Sequence, residues 1–190
     1  MGPELIPLIV IGLIILLPLA YVLGTYNRLV KLGLMIRESW SNVDTELKRR
    51  YDLIPNLVNT VKGYAAHERA VLEAVVRARQ AAVASTGSPA SQARDENELV
   101  RQLRTLLAVV ERYPDLKASQ NFLALQHELT NTEDRIQAAR RFYNANVREN
   151  NVLVLSVPSN VVAGMFGFKE AEYFEIEDLG MREPVQVSLP

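Results

Sequence analysis

Leu5-Ile-Pro-Leu-Ile-Val-Ile-Gly-Leu-Ile-Ile-Leu-Leu-Pro-Leu-Ala-Tyr-Val-Leu23 carries no charged side chain. A bilayer core takes about 20 apolar residues as helix, so this run is long enough to cross one. Pro7 falls in the first turn of such a helix, where its missing N–H is harmless. Pro18 lies inside and is expected to kink it, which spanning helices tolerate. A cleaved signal peptide would instead show a basic start, an apolar run of about 7–15 residues and an A-x-A-like site. The chain opens Met1-Gly-Pro-Glu4, its run is longer, and no such site follows Ala20. The run reads as a retained anchor. The following Gly24-Thr-Tyr-Asn27 holds no breaker stronger than Gly24, so the anchor is expected to continue into the next helix as a rigid stalk.

Lys and Arg near the ends of a span set its orientation. None precedes the run, while Arg28, Lys31 and Arg37 follow it. The expected topology is single-pass, with the short N-terminus outside and the C-terminal domain in the cytoplasm. The chain has no cysteine, which agrees with a reducing compartment but decides little.

Across the chain 21 Lys plus Arg stand against 22 Asp plus Glu. Only Glu4 of these precedes residue 25, so the remainder balances at 21 against 21. A nucleic-acid binder shows a basic excess or face, and no global excess exists. Locally, Arg28, Lys31, Arg37 and the run Lys48-Arg49-Arg50 are basic, and Glu170, Glu172, Glu175, Glu177, Asp178 and Glu183 make the tail acidic. Both read first as solvated surface, with weak attraction of the basic end to anionic lipid as the sharper reading.

Beyond the anchor, apolar residues recur at spacings of three and four. Trp40, Val43, Leu47, Tyr51 and Ile54 do so. So do Ile54, Leu57, Val61, Tyr64, Glu68, Leu72 and Val75, with one polar interruption. Leu99, Leu103, Leu106, Val110 and Tyr113 repeat the pattern, and Phe122, Leu125, Leu129, Thr132, Ile136, Ala139 and Tyr143 hold it without a slip. Such coiled-coil-like seams belong to helices packed nearly parallel or antiparallel. Ser85-Thr-Gly-Ser-Pro-Ala-Ser91 reads as a loop, and Tyr113-Pro114-Asp115 ends one helix and starts another. At Asp52 and Pro55 two readings compete: a new helix capped by Asp52 with Pro55 in its first turn, or one helix running through. The first is preferred. The expectation is an all-α fold. The N-terminal transmembrane helix continues into an elongated antiparallel four-helix bundle whose soluble helices run roughly 20–40 residues each. After Val152-Leu-Val-Leu-Ser-Val157, Pro158 breaks the chain, Ser159 caps a short helix over 160–165, and the end from Gly180 is loosely ordered. This divides the chain into an anchor (1–24), a helical bundle (25–155) and a C-terminal segment with a short helix and acidic tail (156–190).

At this point the residues resemble the LemA family. The matching strings are Tyr26-Asn27-Arg-Leu-Val30, Trp40-Ser-Asn-Val-Asp44, Leu47-Lys-Arg-Arg-Tyr-Asp-Leu-Ile-Pro-Asn-Leu-Val58, Val61-Lys-Gly-Tyr64 and His67-Glu68. They continue with Glu111-Arg-Tyr-Pro-Asp-Leu-Lys-Ala118, Phe122, Leu125-Gln126, Glu133, Ile136, Ala139-Arg-Arg-Phe-Tyr-Asn144 and Gly164-Met-Phe-Gly-Phe168. The match runs in order from Tyr26 to about Phe174. It implies a bacterial protein with an N-terminal membrane helix, a short outer end and a four-helix bundle domain. The role it implies is poorly defined, with links to membrane-protein quality control, envelope organisation and, in one branch, magnetosome membranes. One departure is visible. The family's second Tyr-Asn pair reads Asn150-Asn151 here, which puts in doubt a tyrosine contact at that turn.

The residues offer little chemistry. His67 and His127 fall on different helices, with Tyr64 and Ala124 where a Glu-x-x-His metal site would need glutamate. There is no H-E-x-x-H, G-x-S-x-G, P-loop or G-x-G-x-x-G; Gly164-Met-Phe-Gly167 has the wrong spacing. No catalytic, cofactor or metal residues, no cofactor and no small-molecule substrate are therefore expected, and the chain reads as a non-enzyme. Asp52, Pro55 and Asn56 read first as helix-start chemistry. Arg140, Arg141, Tyr143 and Asn144 read as bundle-register groups, with Asp44, Glu46 or Glu133 as partners. Asn27, Asn144 and Asn151 are candidates for fixing register, as a buried Asn does in coiled coils. Phe166, Phe168, Tyr173 and Phe174 are a candidate interaction patch. Either they fold back on the helices or they dock a partner, a second subunit or the membrane. The expected function is a membrane-anchored helical scaffold or adaptor working through protein–protein contacts. Its partners would be the bilayer, through the N-terminal helix, and a protein partner or second copy, not nucleic acid. The alternative is a lipid-engaging protein that shapes or tethers bilayers.

Overall fold

The computed structural model describes the backbone of residues 5–176, with side chains at Val10 and from Gly12 onward. Six helices follow in order: α1 (Leu5–Tyr64), α2 (Arg69–Ala84), α3 (Pro89–Val110), α4 (Pro114–Lys117), α5 (Gln120–Leu155) and α6 (Ser159–Phe166). Among the described residues there is no strand. The expected acidic residues Glu177, Asp178 and Glu183, the loosely ordered end and the first four residues lie outside this range.

α1 is long and apolar enough at its N-terminal end to cross a membrane, and only 11% of its most apolar window is buried. Leu13, Ile14, Leu16 and Leu17 are all more than half exposed. An apolar helix that supplied the core of a soluble domain would be covered.

α1 also corrects the preferred reading at Pro55. No new helix begins there, and Asp52, Pro55 and Asn56 are exposed residues of its interior. A proline inside a helix removes the N–H that would satisfy the carbonyl four residues earlier. Here that carbonyl belongs to Tyr51, and the Nε of Arg79 on α2 donates to it at 2.7 Å. A donor from another helix thus stands in for the missing amide. The break falls later, after Lys62-Gly63-Tyr64, where glycine weakens the helix. Ala65 N closes on Val61 O at 2.8 Å, Glu68 N on Ala65 O at 3.0 Å, and α2 begins. Tyr64, expected in the seam, is therefore exposed. Arg79→Met should cost about 1–2 kcal/mol, since it leaves that carbonyl unpaired. The cost should shrink in a Pro55→Ala background, where the restored amide supplies the donor; a double-mutant cycle in denaturant measures this.

α3 and α5, of 22 and 36 residues, have the expected length, and two other helices are shorter. α2 has 16 residues, and α4 is a single turn opened by Pro114. Ser159 does not cap α6. Pro158 takes that place, and the Ser159 hydroxyl donates to Ser156 O at 2.9 Å. α6 ends at Gly167, whose φ of 73° is a left-handed conformation that suits glycine. Phe168 N then reaches Ala163 O at 2.9 Å and Gly167 N reaches Gly164 O at 3.4 Å, a Schellman closure.

The chain divides into two compact units, each with its own packing. The first takes the part of α1 up to Ser39 together with Asn144–Ala171. Its buried residues include Leu29, Leu32, Val147, Val162 and Ala163. Ser39 is fully buried, with its hydroxyl donating to Met35 O at 2.7 Å and accepting from Asn146 Nδ2 at 3.2 Å. The second unit takes Trp40–Tyr143 with the segment from Glu172. One apolar cluster joins Ile54, Leu57 and Val61 of α1, Leu72 and Val75 of α2, and Leu99, Leu103 and Leu106 of α3 to Leu116, Phe122 and Leu129. All but Leu116 are seam positions of the sequence, and each buried aliphatic contributes about 1.5–3 kcal/mol.

Candidate functional site

Three arrangements carry polar chemistry. The first lies inside the second unit. Arg50, expected in a solvated basic run, is fully buried. Its guanidinium reaches Glu133 at 3.0 Å and also binds Glu96, which accepts in addition from the Tyr51 hydroxyl. Glu133, a candidate partner of Arg140, pairs with Arg50. Glu96 is 1% and Glu133 5% exposed, so one cation stands between two carboxylates away from water. Burial pushes the Glu96 carboxyl above its ordinary 4.5, against the lowering pull of Arg50 and of hydrogen bonds from Tyr51 and Arg50. Burial works against the Arg50 charge, yet Glu133 and Glu96 together raise its affinity for the proton. Burial, with the charge of and hydrogen bond to Glu96 behind it, holds the Tyr51 phenol protonated well above its usual range. None of the described grooves is lined by any of these four residues. The cluster ties α1, α3 and α5 together.

Because native Glu96 holds its proton more tightly than the unfolded chain does, its contribution to stability falls as pH rises from 4.5 through the native value. Glu96→Gln removes that slope. Relative to this variant, the wild type should lose stability as pH rises above 4.5; denaturation midpoints at several pH values check the sign.

The second arrangement is the non-helical segment 168–176. In the first unit, buried Asn151 accepts from Ala171 N at 2.8 Å and donates to Ala171 O at 2.9 Å. Asn150 donates to Lys169 O at 3.1 Å. The pair that departs from the family pattern thus reads the backbone of this segment, as a neighbouring strand would. In the second unit, the Tyr143 hydroxyl donates to Glu172 O at 2.9 Å, Asn97 Nδ2 to Glu175 O at 3.1 Å, and Arg140 to Ile176 O. Burial, then the charge of Glu172, pushes the Tyr143 phenol up to about 12, so it stays a donor at neutral pH.

The aromatic candidates do not form one patch. Phe166 and Phe168 pack edge-on against Tyr26 in the first unit, with centroids at 4.8 and 5.7 Å. Phe174 is fully buried in the second unit, 5.1 Å from Trp40, which also meets Tyr143 at 5.2 Å. Tyr173 is 39% exposed. Of the polar candidates, Arg140 and Tyr143 come together on the terminal segment, while Asp52, Pro55 and Asn56 stand apart from it on α1. Asn144 is half-buried, and Asn27 exposed.

The third arrangement is an open groove of about 740 Å³ between α1 and α2. Val58, Leu72 and Val76 line it with the cations Lys62, Arg69 and Arg77, the acid Glu73 and His67. Glu73 lies 3.9 Å from Arg69 and 3.7 Å from Arg77, so positive charge is in excess. His67 and His127 are both exposed. Among the described residues no group of three or more His, Cys, Asp or Glu is placed to hold a metal.

Among the described residues, one helix of membrane-crossing length and internally paired polar clusters define a class of all-helical protein. Residues 39–189 match the model of the LemA family, and the chain belongs to that family. It is similar to magnetosome protein MamQ 2 and magnetosome protein MamQ 1 of Paramagnetospirillum magneticum. Each is 27% identical to it over 94% of this chain and 75% of the relative. Magnetosome protein MamQ of Magnetospirillum gryphiswaldense is 26% identical over the same shares.

Proposed function

We propose that this chain is a membrane-anchored helical scaffold, without enzymatic activity, that works by holding a protein partner. The observation that carries the reading is α1. One helix contains both an exposed apolar run of spanning length and the seam residues Val43, Leu47, Ile54 and Val61 of the second unit's core. An apolar face of this size is stable in lipid. The similarity to magnetosome proteins supports a membrane setting. In this reading α1, α2, α3 and α5 form a four-helix bundle, supported by the single apolar cluster they share. The α1–α2 groove is its docking face. Its apolar floor and surplus of cations suit an amphipathic segment bearing acidic side chains.

Size measurement of the chain extracted in mild detergent tests this. A discrete complex larger than one 21.3 kDa chain plus detergent is expected, and a strict monomer at all concentrations counts against the scaffold. Orientation has its own test. With Arg28, Lys31 and Arg37 after the span, the positive-inside rule places the helical domain in the cytoplasm. A reporter active only in the cytoplasm, fused after Pro190, should be active; activity of a periplasmic reporter alone reverses the topology.

A further inference from the structure

We propose that the turn joining α5 to α6 is a second bilayer contact: Val152–Phe166 lies in the apolar interface of the membrane that α1 enters. The inference rests on the anchored reading above and goes beyond it. Three observations within the first unit carry it.

Exposure is the first. Val152, Leu155, Val161, Met165 and Phe166 are each half or more exposed, and Val157, at the tip, is 81% exposed. Soluble surfaces rarely gather apolar side chains this densely.

Charge is the second. From Asn150 to Phe168 no side chain is charged, with Glu149 before and Lys169 after. Buried Asn150 and Asn151 spend their amides on each other and on the chain at Lys169 and Ala171, and Ser159 bonds Ser156 O. The outward surface of the turn is left largely apolar.

Register is the third. Arg28 Nη2 meets Glu149 Oε1 at 2.8 Å. On α1 the described residues before Arg28 are uncharged, and on α5 those after Glu149 are uncharged. The two charge-free stretches therefore begin at one ion pair. From Glu149 the helix runs on to Leu155, about 9 Å at 1.5 Å per residue. Tyr26, two residues before Arg28 and next to the apolar run, packs edge-on against Phe166 and Phe168. Tyrosine at that place is typical of a membrane–water interface. If α1 enters a bilayer past Arg28, the turn enters it too. The occupant is lipid, and a second copy or a protein partner becomes an outcome of the test.

The absence of cysteine makes the experiment clean. Single variants Leu16→Cys, Val157→Cys, Met165→Cys and Val76→Cys of the full chain are labelled with an environment-sensitive fluorophore. They are reconstituted in phosphatidylcholine–phosphatidylglycerol vesicles with and without chain-quencher lipids. Probes at positions 157 and 165 should be blue-shifted and quenched at least about twofold more than at 76, and more by shallow than by deep quenchers, as an interfacial element requires. Solvent-like, unquenched probes at 157 and 165 with a quenched probe at 16 overturn this proposal and leave the anchor standing. Shielded but unquenched probes at 157 and 165 mean protein covers the turn, which also overturns it. An unquenched probe at 16 removes the anchor reading itself.

Discussion

Arg50→Leu is expected to lower the unfolding free energy by about 3–5 kcal/mol. The guanidinium is fully buried and binds Glu133 and Glu96. Removing it leaves two carboxylates facing each other without a cation or water, and an unpaired buried charge is far more costly than the pair it came from. The contrast with a full replacement makes the prediction specific. Changing Arg50→Met, Tyr51→Phe, Glu96→Leu and Glu133→Leu together removes every polar member, and should bring stability back to within about 1–2 kcal/mol of wild type or above it. Denaturant unfolding of the detergent-solubilised chain measures both. A single variant as stable as wild type would show that the cluster is not desolvated as described.

Phe174→Ala should cost about 3–5 kcal/mol, the usual range for a fully buried phenylalanine. The ring is fully buried, edge-on to Trp40. Its segment is neither helix nor strand, so the ring is its main apolar tether beside Ile176, which is 4% exposed. Loss of the ring should release residues 172–176, weakening the bonds from Tyr143, Asn97 and Arg140 together. Limited proteolysis should then cut within the segment long before the helices unfold, and Phe174→Leu should cost only about 1 kcal/mol. An unchanged cleavage pattern in Phe174→Ala would mean that the backbone bonds alone hold the segment.

The helical texture was legible because the core obeys its period: Val43, Leu47 and Ile54, then Leu99, Leu103 and Leu106, all fall on the seams and are all buried. The break near Pro55 was misplaced because the residue that makes a continuous helix tolerable, Arg79, lies on another helix. Local sequence cannot supply a tertiary donor. The charge cluster was missed for a related reason. Arg50, Glu96 and Glu133 occupy seam positions, between Leu47 and Ile54, before Leu99, and between Leu129 and Ile136. A charge run reads first as a solvated face, but charges of opposite sign on several seams at once were the available signal. The terminal segment is held by Asn150, Asn151 and Tyr143 through backbone atoms, and a carbonyl partner leaves no trace in side-chain pattern. The four aromatics looked continuous in sequence because only chain distance was visible; Phe166 and Phe168 share Tyr26, whereas Phe174 joins Trp40.

The scaffold reading is tested most directly by photo-crosslinking in native membranes from position 76, where Val76 lines the α1–α2 groove and is 38% exposed. A photoreactive residue there should give one discrete adduct, and Lys62→Glu with Arg77→Glu on the groove's rim should abolish it while the chain stays in the membrane. No adduct, or an adduct indifferent to the charge reversal, would contradict a docking role for this groove.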